Sequence, residues 1–127
     1  MKQKTILVVD DEKDIVKILQ ERLLANDYKV LIAFGGEEAL VKAKSFHPDL
    51  IILDIMMPDL SGTTVAEKLK ENRETKNIPI IFLTCLVEKE EEKESKHIIG
   101  NNLFFAKPFD TEELVKTVGN ILNPSQG

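Results

Sequence analysis

The chain predicts an α/β domain in which a parallel sheet is covered by helices on both faces. Three observations carry this. The runs Ile6–Val9, Leu50–Leu53, Ile80–Leu83 and Leu103–Ala106 are continuously apolar. Absence of alternation marks strands buried on both faces. Segments with helical periodicity stand between the runs, and strands joined by helices of that length are parallel.

In order, Ile6–Val9 ends in Asp10-Asp11-Glu12, and a helix follows with Ile15, Ile18, Leu19 and Leu23 on one face, closing near Asn26-Asp27. Tyr28 to Phe34 reads as a further strand, broken by Gly35-Gly36. Ala39, Leu40, Ala43 and Phe46 form a second helical stripe, stopped at His47-Pro48. The central strand, Leu50–Leu53, ends at Asp54, and the Pro58 to Gly62 region turns the chain. A helix from about Thr63 to Asn72 directs Val65, Ala66 and Leu69 inward. Pro79 introduces Ile80–Leu83, which ends at Thr84. The fourth helix is expected over 88–97, a Glu/Lys-rich stretch with no aliphatic residue, anchored only by Leu86-Val87 and Ile98-Ile99. Leu103–Ala106 ends at Lys107-Pro108, and Asp110 with Glu113 opens a last helix bearing Leu114, Val118, Ile121 and Leu122.

With 127 residues, 43% hydrophobic and 31% charged, the chain fits one domain, assigned to residues 1–124, with 125–127 as a tail. A net charge of -5 argues against nucleic acid as a direct ligand. The single Cys85 permits no internal disulfide, and no Cys/His cluster suggests zinc. The apolar run behind the basic start is too short for a signal peptide, and no stretch approaches a membrane span. The expected location is the cytoplasm.

In sheets of this kind ligands bind at the carboxyl ends of the strands, where strand order reverses. That edge gathers Asp10, Asp11, Asp54, Thr84 and Lys107. Three clustered carboxylates repel one another, and a divalent cation relieves the repulsion. Oxygen-only ligands suit Mg2+, with Mn2+ as an alternative, rather than zinc. Magnesium in turn favours a phosphoryl group, and an aspartate can accept one as a nucleophile. A haloacid dehalogenase-type phosphatase would want a second Asp where Met56 stands. A flavodoxin would want a neutral phosphate loop where Asp10-Asp11-Glu12 stands, and a P-loop motif is absent.

These residues carry a resemblance over nearly the whole chain. The pieces are Ile6 to Glu12, Gly36-Glu37-Glu38-Ala39-Leu40, Leu53 to Gly62, Leu83-Thr84 and Lys107-Pro108-Phe109. In this order and spacing the chain resembles the receiver domain of two-component response regulators, of the chemotaxis-regulator-like kind. The resemblance implies a flavodoxin-like (βα)5 sandwich with strand order 2-1-3-4-5 and helices divided two and three between the faces. It implies that Asp54 accepts a phosphoryl group from a histidine kinase or phosphotransfer protein. Asp10, Asp11, Asp54 and the main-chain carbonyl of Met56 would hold Mg2+, with Lys107 and Thr84 contacting the phosphoryl group. Thr84 and Phe104 would form a switch that acts on the face built from the fourth helix, fifth strand and fifth helix. Lys107 would precede a cis proline. Such a domain is not an enzyme for an external substrate, although it catalyses its own phosphoryl transfer and slow loss. It serves an output partner and can form a phosphorylation-dependent dimer. A docking module independent of phosphorylation is the rival, but such domains commonly lack parts of the acidic set.

Four positions depart from the family's usual residues. Cys85 follows the switch threonine, Phe104 lacks a tyrosine hydroxyl, and Met56 and Leu86 are apolar where polar groups assist dephosphorylation. Cys85, Met56 and Met57 are read as packing groups, and His47 and His97 as surface residues.

Overall fold

Alternate side chains of each strand feed opposite cores, and this sets the layers of the molecule. The computed structural model describes residues 3–85, 96–99 and 102–124. The elements are β1 Thr5–Val9, α1 Lys13–Ala25, β2 Lys29–Ala33, α2 Gly36–Phe46, β3 Leu50–Asp54, α3 Gly62–Glu71, β4 Ile80–Thr84, β5 Lys96–Ile99, β6 Asn102–Ala106 and α4 Thr111–Leu122. Five parallel strands run in the order β2-β1-β3-β4-β6, which is the expected 2-1-3-4-5. Ile6, Val8, Leu50, Ile52, Ile81, Leu83 and Phe105 pack with Val16, Leu19 and Leu23 of α1 and Leu114, Val115 and Val118 of α4. Their neighbours Leu7, Val9, Ile51, Leu53 and Phe82 pack on the other face with Ala39 and Ala43 of α2 and Val65, Ala66 and Leu69 of α3.

The sheet has one strand more than expected. β5 pairs antiparallel with β6 at the edge, Lys96 opposite Phe105 and Ile99 opposite Asn102. The fourth helix expected from sequence includes residues 96 and 97, which instead lie in β5, so that end of the helix is corrected. Residues 88–97 lack the aliphatic stripe that would dock a helix, whereas the backbone of Lys96–Ile99 satisfies its polar groups on the open edge of β6. The rest of that expected helix lies outside the described residues. Among the described residues there are four helices.

Two helical faces also differ from expectation. Ile18 and Phe46 are largely exposed, and Val16 takes the inward place beside Leu19 and Leu23. Phe46 is the last residue of α2, where His47 turns left-handed at φ 49 and carries the chain off the helix. Cys85 and Met56 are exposed rather than packed. His47 is exposed, as expected, and meets Glu74 Oε1 at 3.3 Å.

The last helix starts as its sequence indicates, with Asp110 Oδ1 accepting from the Glu113 N–H at 3.1 Å. Asp110→Ala should therefore cost about 1 kcal/mol, read as a lower urea midpoint with an unchanged slope.

Candidate functional site

Register places the site. β1 and β3 are adjacent, with Val9 opposite Leu53, so the residues that follow, Asp10 and Asp54, emerge side by side. This is where strand order reverses, since β1 has β2 on one side and β3 on the other. Thr84 closes β4, and Lys107 follows β6. The Lys107 N–H donates to the Thr84 carbonyl at 2.7 Å, tying the two ends together. Lys107-Pro108 is cis, as the resemblance implies.

Asp10 is fully buried and Asp54 is 2% exposed, whereas Asp11 is open to solvent. One carboxylate oxygen from each of these three lies within 4.8 Å of the others. The Lys107 ammonium reaches across the group, 2.6 Å from Glu12 Oε1, 2.9 Å from Asp10 Oδ2 and 3.5 Å from Asp54 Oδ1. Asp10 Oδ1 accepts from the Glu12 N–H at 2.9 Å, and Asp54 Oδ1 accepts a long bond from the Met56 N–H at 3.4 Å.

Burial, and then the charge of Asp10 beside it, pushes the Asp54 carboxyl up to about 6 against the opposing pull of Lys107. Burial likewise raises Asp10, although the Glu12 amide and Lys107 pull it down. For Lys107, burial favours the neutral amine. Its hydrogen bond to Glu12 and its ion pair with Asp10 outweigh this and raise it above the ordinary lysine value.

The donor set fits a hard divalent cation. With all groups ionised, Asp10, Asp11, Glu12 and Asp54 face the single positive charge of Lys107. Asp10 Oδ2 is sealed from solvent and touches Lys107 only as an ion pair, without the geometry of a hydrogen bond. A buried anionic oxygen in that condition gains from a metal that binds oxygen.

Three residues at the site had no role in the sequence reading. Gly62 opens α3 directly against the end of β3, its N–H donating to the Ile55 carbonyl at 2.7 Å. A Cβ there would lie 2.3 Å from the Asp54 carbonyl oxygen, so only glycine permits the approach. Asp59 holds the loop after Asp54 to the start of α2, accepting from the Gly36 and Glu37 N–H groups at 3.0 Å each. Those two amides, chiefly the Glu37 one, hold the Asp59 carboxyl below its ordinary range. Glu12 was part of the recognised motif, but nothing local reveals that it meets Lys107. Of the proposed switch residues, Thr84 is half-buried, and the Phe104 ring stacks on Phe82 with centroids 5.1 Å apart. Leu86 lies outside the described residues.

Fold and site together define a doubly wound α/β domain with an acidic, metal-competent cluster built around a buried aspartate at its switch point. The chain belongs to the response regulator receiver domain family, whose model matches residues 6–119. Such domains work in phosphorylation-dependent two-component signalling. The alkaline phosphatase synthesis transcriptional regulatory protein PhoP of Bacillus subtilis is 41% identical over 123 residues, covering 97% of this chain and 50% of PhoP. The chain thus spans about half the length of the curated relatives it matches. Among solved structures, the chemotaxis response regulator CheY4 of Vibrio cholerae is 31% identical with a TM-score of 0.80, covering 95% of this chain and 100% of that one. The response regulator TrrA of Thermotoga maritima, solved in complex with Mg(2+)-BeF, is 35% identical with a TM-score of 0.76, covering 94% and 100%. Among the described residues no helix is long and apolar enough to cross a membrane.

Proposed function

We propose that residues 1–124 act as a Mg2+-dependent phosphorylation switch with Asp54 as the acceptor, supplied by a histidine kinase or a histidine phosphotransfer protein. The observation that carries this is the burial of Asp54 beside Asp10 with the Lys107 ammonium 3.5 Å away. An Asp54 carboxylate oxygen attacks the phosphorus. The bond from phosphorus to the donor's leaving atom breaks, and that atom keeps the electron pair. With its carboxyl at about 6, Asp54 is mostly ionised at neutral pH and able to attack. Asp10, Asp11, Asp54 and the Met56 carbonyl would hold Mg2+ or Mn2+. When bound, the cation neutralises the phosphoryl oxygens and the crowded carboxylates. The Lys107 ammonium donates to one phosphoryl oxygen and the Thr84 hydroxyl to another. Attack of water on the phosphorus later returns Asp54 and phosphate, so the domain turns over its own phosphoryl group and no external substrate.

Drawing Thr84 toward the phosphoryl group vacates space for Phe104 and shifts a pre-existing equilibrium. The change reaches β6 and α4, which form the surface for an output partner or a second phosphorylated copy. The acidic charge favours protein partners over nucleic acid, and the setting is the cytoplasm. The test is acetyl phosphate with Mg2+, read by intact mass. One phosphoryl addition is expected, lost in Asp54→Asn and without divalent metal. Undiminished addition to Asp54→Asn would move the acceptor elsewhere.

A further inference from the structure

Lys107 lies closer to Glu12 than to Asp54. An ammonium carries three N–H donors, and its distances run 2.6 Å to Glu12, 2.9 Å to Asp10 and 3.5 Å to Asp54. The shortest contact goes to a carboxylate with no part in the chemistry above. Asp10 is already engaged, since its Oδ1 holds the Glu12 amide and its carboxylate faces the metal position. Glu12 is differently placed. It stands at the N-cap of α1 without making a side-chain capping bond, its side chain is 58% exposed, and its carboxylate meets Lys107. An ion pair from a buried ammonium to a solvent-open carboxylate biases where the lysine sits and is readily exchanged for a stronger partner.

We propose that Glu12 is a releasable latch on Lys107, holding the ammonium off Asp54 in the resting domain and losing it to the phosphoryl group when Asp54 is modified. This rests on Asp54 being the acceptor. The covalent step is the one given above, an Asp54 oxygen–phosphorus bond forming as the donor's bond to phosphorus breaks, and the latch alters only where a Lys107 donor points during it. A phosphoryl group brings nearly two negative charges to a buried position, against one on an exposed glutamate. Lys107 therefore crosses over, and Glu12 is set free at the start of α1. If Glu12 instead merely positioned Lys107, removing it would slow phosphorylation. A latch predicts the opposite sign.

The experiment uses the whole chain with Glu12→Gln, which keeps the shape and removes the charge. Phosphorylation by acetyl phosphate at saturating Mg2+ should quicken by about fivefold, the worth of one ion pair to a solvent-open carboxylate. The beryllofluoride concentration at half-saturation, read by NMR, should fall by a similar factor. Asp14→Asn removes the same charge two residues on, in the first turn of α1, and should change neither by more than about twofold. Glu12→Gln that is slower than or equal to the parent overturns the latch. Equal acceleration by Asp14→Asn overturns it too, because general repulsion of the anionic donor would then explain both. In either case a normally phosphorylated parent leaves the Asp54 assignment standing. A parent that takes no phosphoryl group at Asp54 removes that assignment and the latch with it.

Discussion

Gly62→Ala should destabilise the domain by about 3 kcal/mol or more and sharply slow phosphorylation from acetyl phosphate. The added Cβ would stand 2.3 Å from the Asp54 carbonyl oxygen and 2.8 Å from the Ile55 Cα. Both are backbone atoms, so no side chain can swing away to make room. Either the start of α3 or the end of β3 must shift, and β3 carries Asp54. Alanine's better helix propensity returns only about 1 kcal/mol, so overlap decides the sign. Gly119 inside α4 supplies the control, because the nearest atom to a Cβ there is Tyr28 Oη at 3.7 Å. Gly119→Ala should be neutral or stabilising by about 0.5–1 kcal/mol. Urea midpoints that moved together in the two variants would refute the close approach as the reason for Gly62.

The contrast between Gly62 and Asp54 shows what a sequence makes visible. Asp10, Asp54, Thr84 and Lys107 were legible because each terminates an unbroken apolar run, and a parallel sheet puts the ends of such runs at one edge. Four of the five parallel strands followed from the same runs, and the fifth from Tyr28 to Phe34. Gly62 and Asp59 were legible only as parts of a turn. Their partners, the Asp54 carbonyl and the first amides of α2, are fixed by how two loops meet, which no local pattern encodes. Helix phase was the next weak point. Ile18 belongs to the Ile15, Ile18, Leu19 pattern as well as Val16 belongs to Val16, Leu19, Leu23, and only docking on the sheet chooses between them. The edge strand Lys96–Ile99 was missed because its pairing comes from the open side of β6, a tertiary partner that overrides a weak helical signal.

Asp54→Asn, the change that removes the proposed acceptor, should make the metal-free domain more stable. The folded Asp54 carboxyl sits at about 6, against 3.8 for an ordinary aspartate, chiefly because burial and Asp10 disfavour its charge. A gap of about two pH units corresponds to roughly 3 kcal/mol. This is a ceiling, because Asp54 and Asp10 titrate as a pair. The sign follows from proton binding. Between the two values the folded protein holds a proton that the unfolded chain has released, so the parent gains stability as pH falls through 6 and completes that gain below 3.8. At pH 8 the carboxylate is charged in both states and its cost is fully present. Asparagine keeps the shape without the charge, and Lys107 keeps its closer contacts with Glu12 and Asp10. In EDTA at pH 8 the variant should therefore exceed the parent by about 1–3 kcal/mol, roughly 5–10 °C in Tm for a domain of this size. At pH 5 about half of that advantage should vanish, since the parent's Asp54 is then protonated when folded but still ionised when unfolded, and the rest should go as pH nears 3.8. Saturating Mg2+ at pH 8 should raise the parent's Tm more than the variant's, because the cation relieves a repulsion that asparagine has already removed. An Asp54→Asn protein no more stable than the parent in EDTA at pH 8 would mean that the carboxylates of this site are not in electrostatic conflict, and that the case for a resident cation rests on their spacing alone.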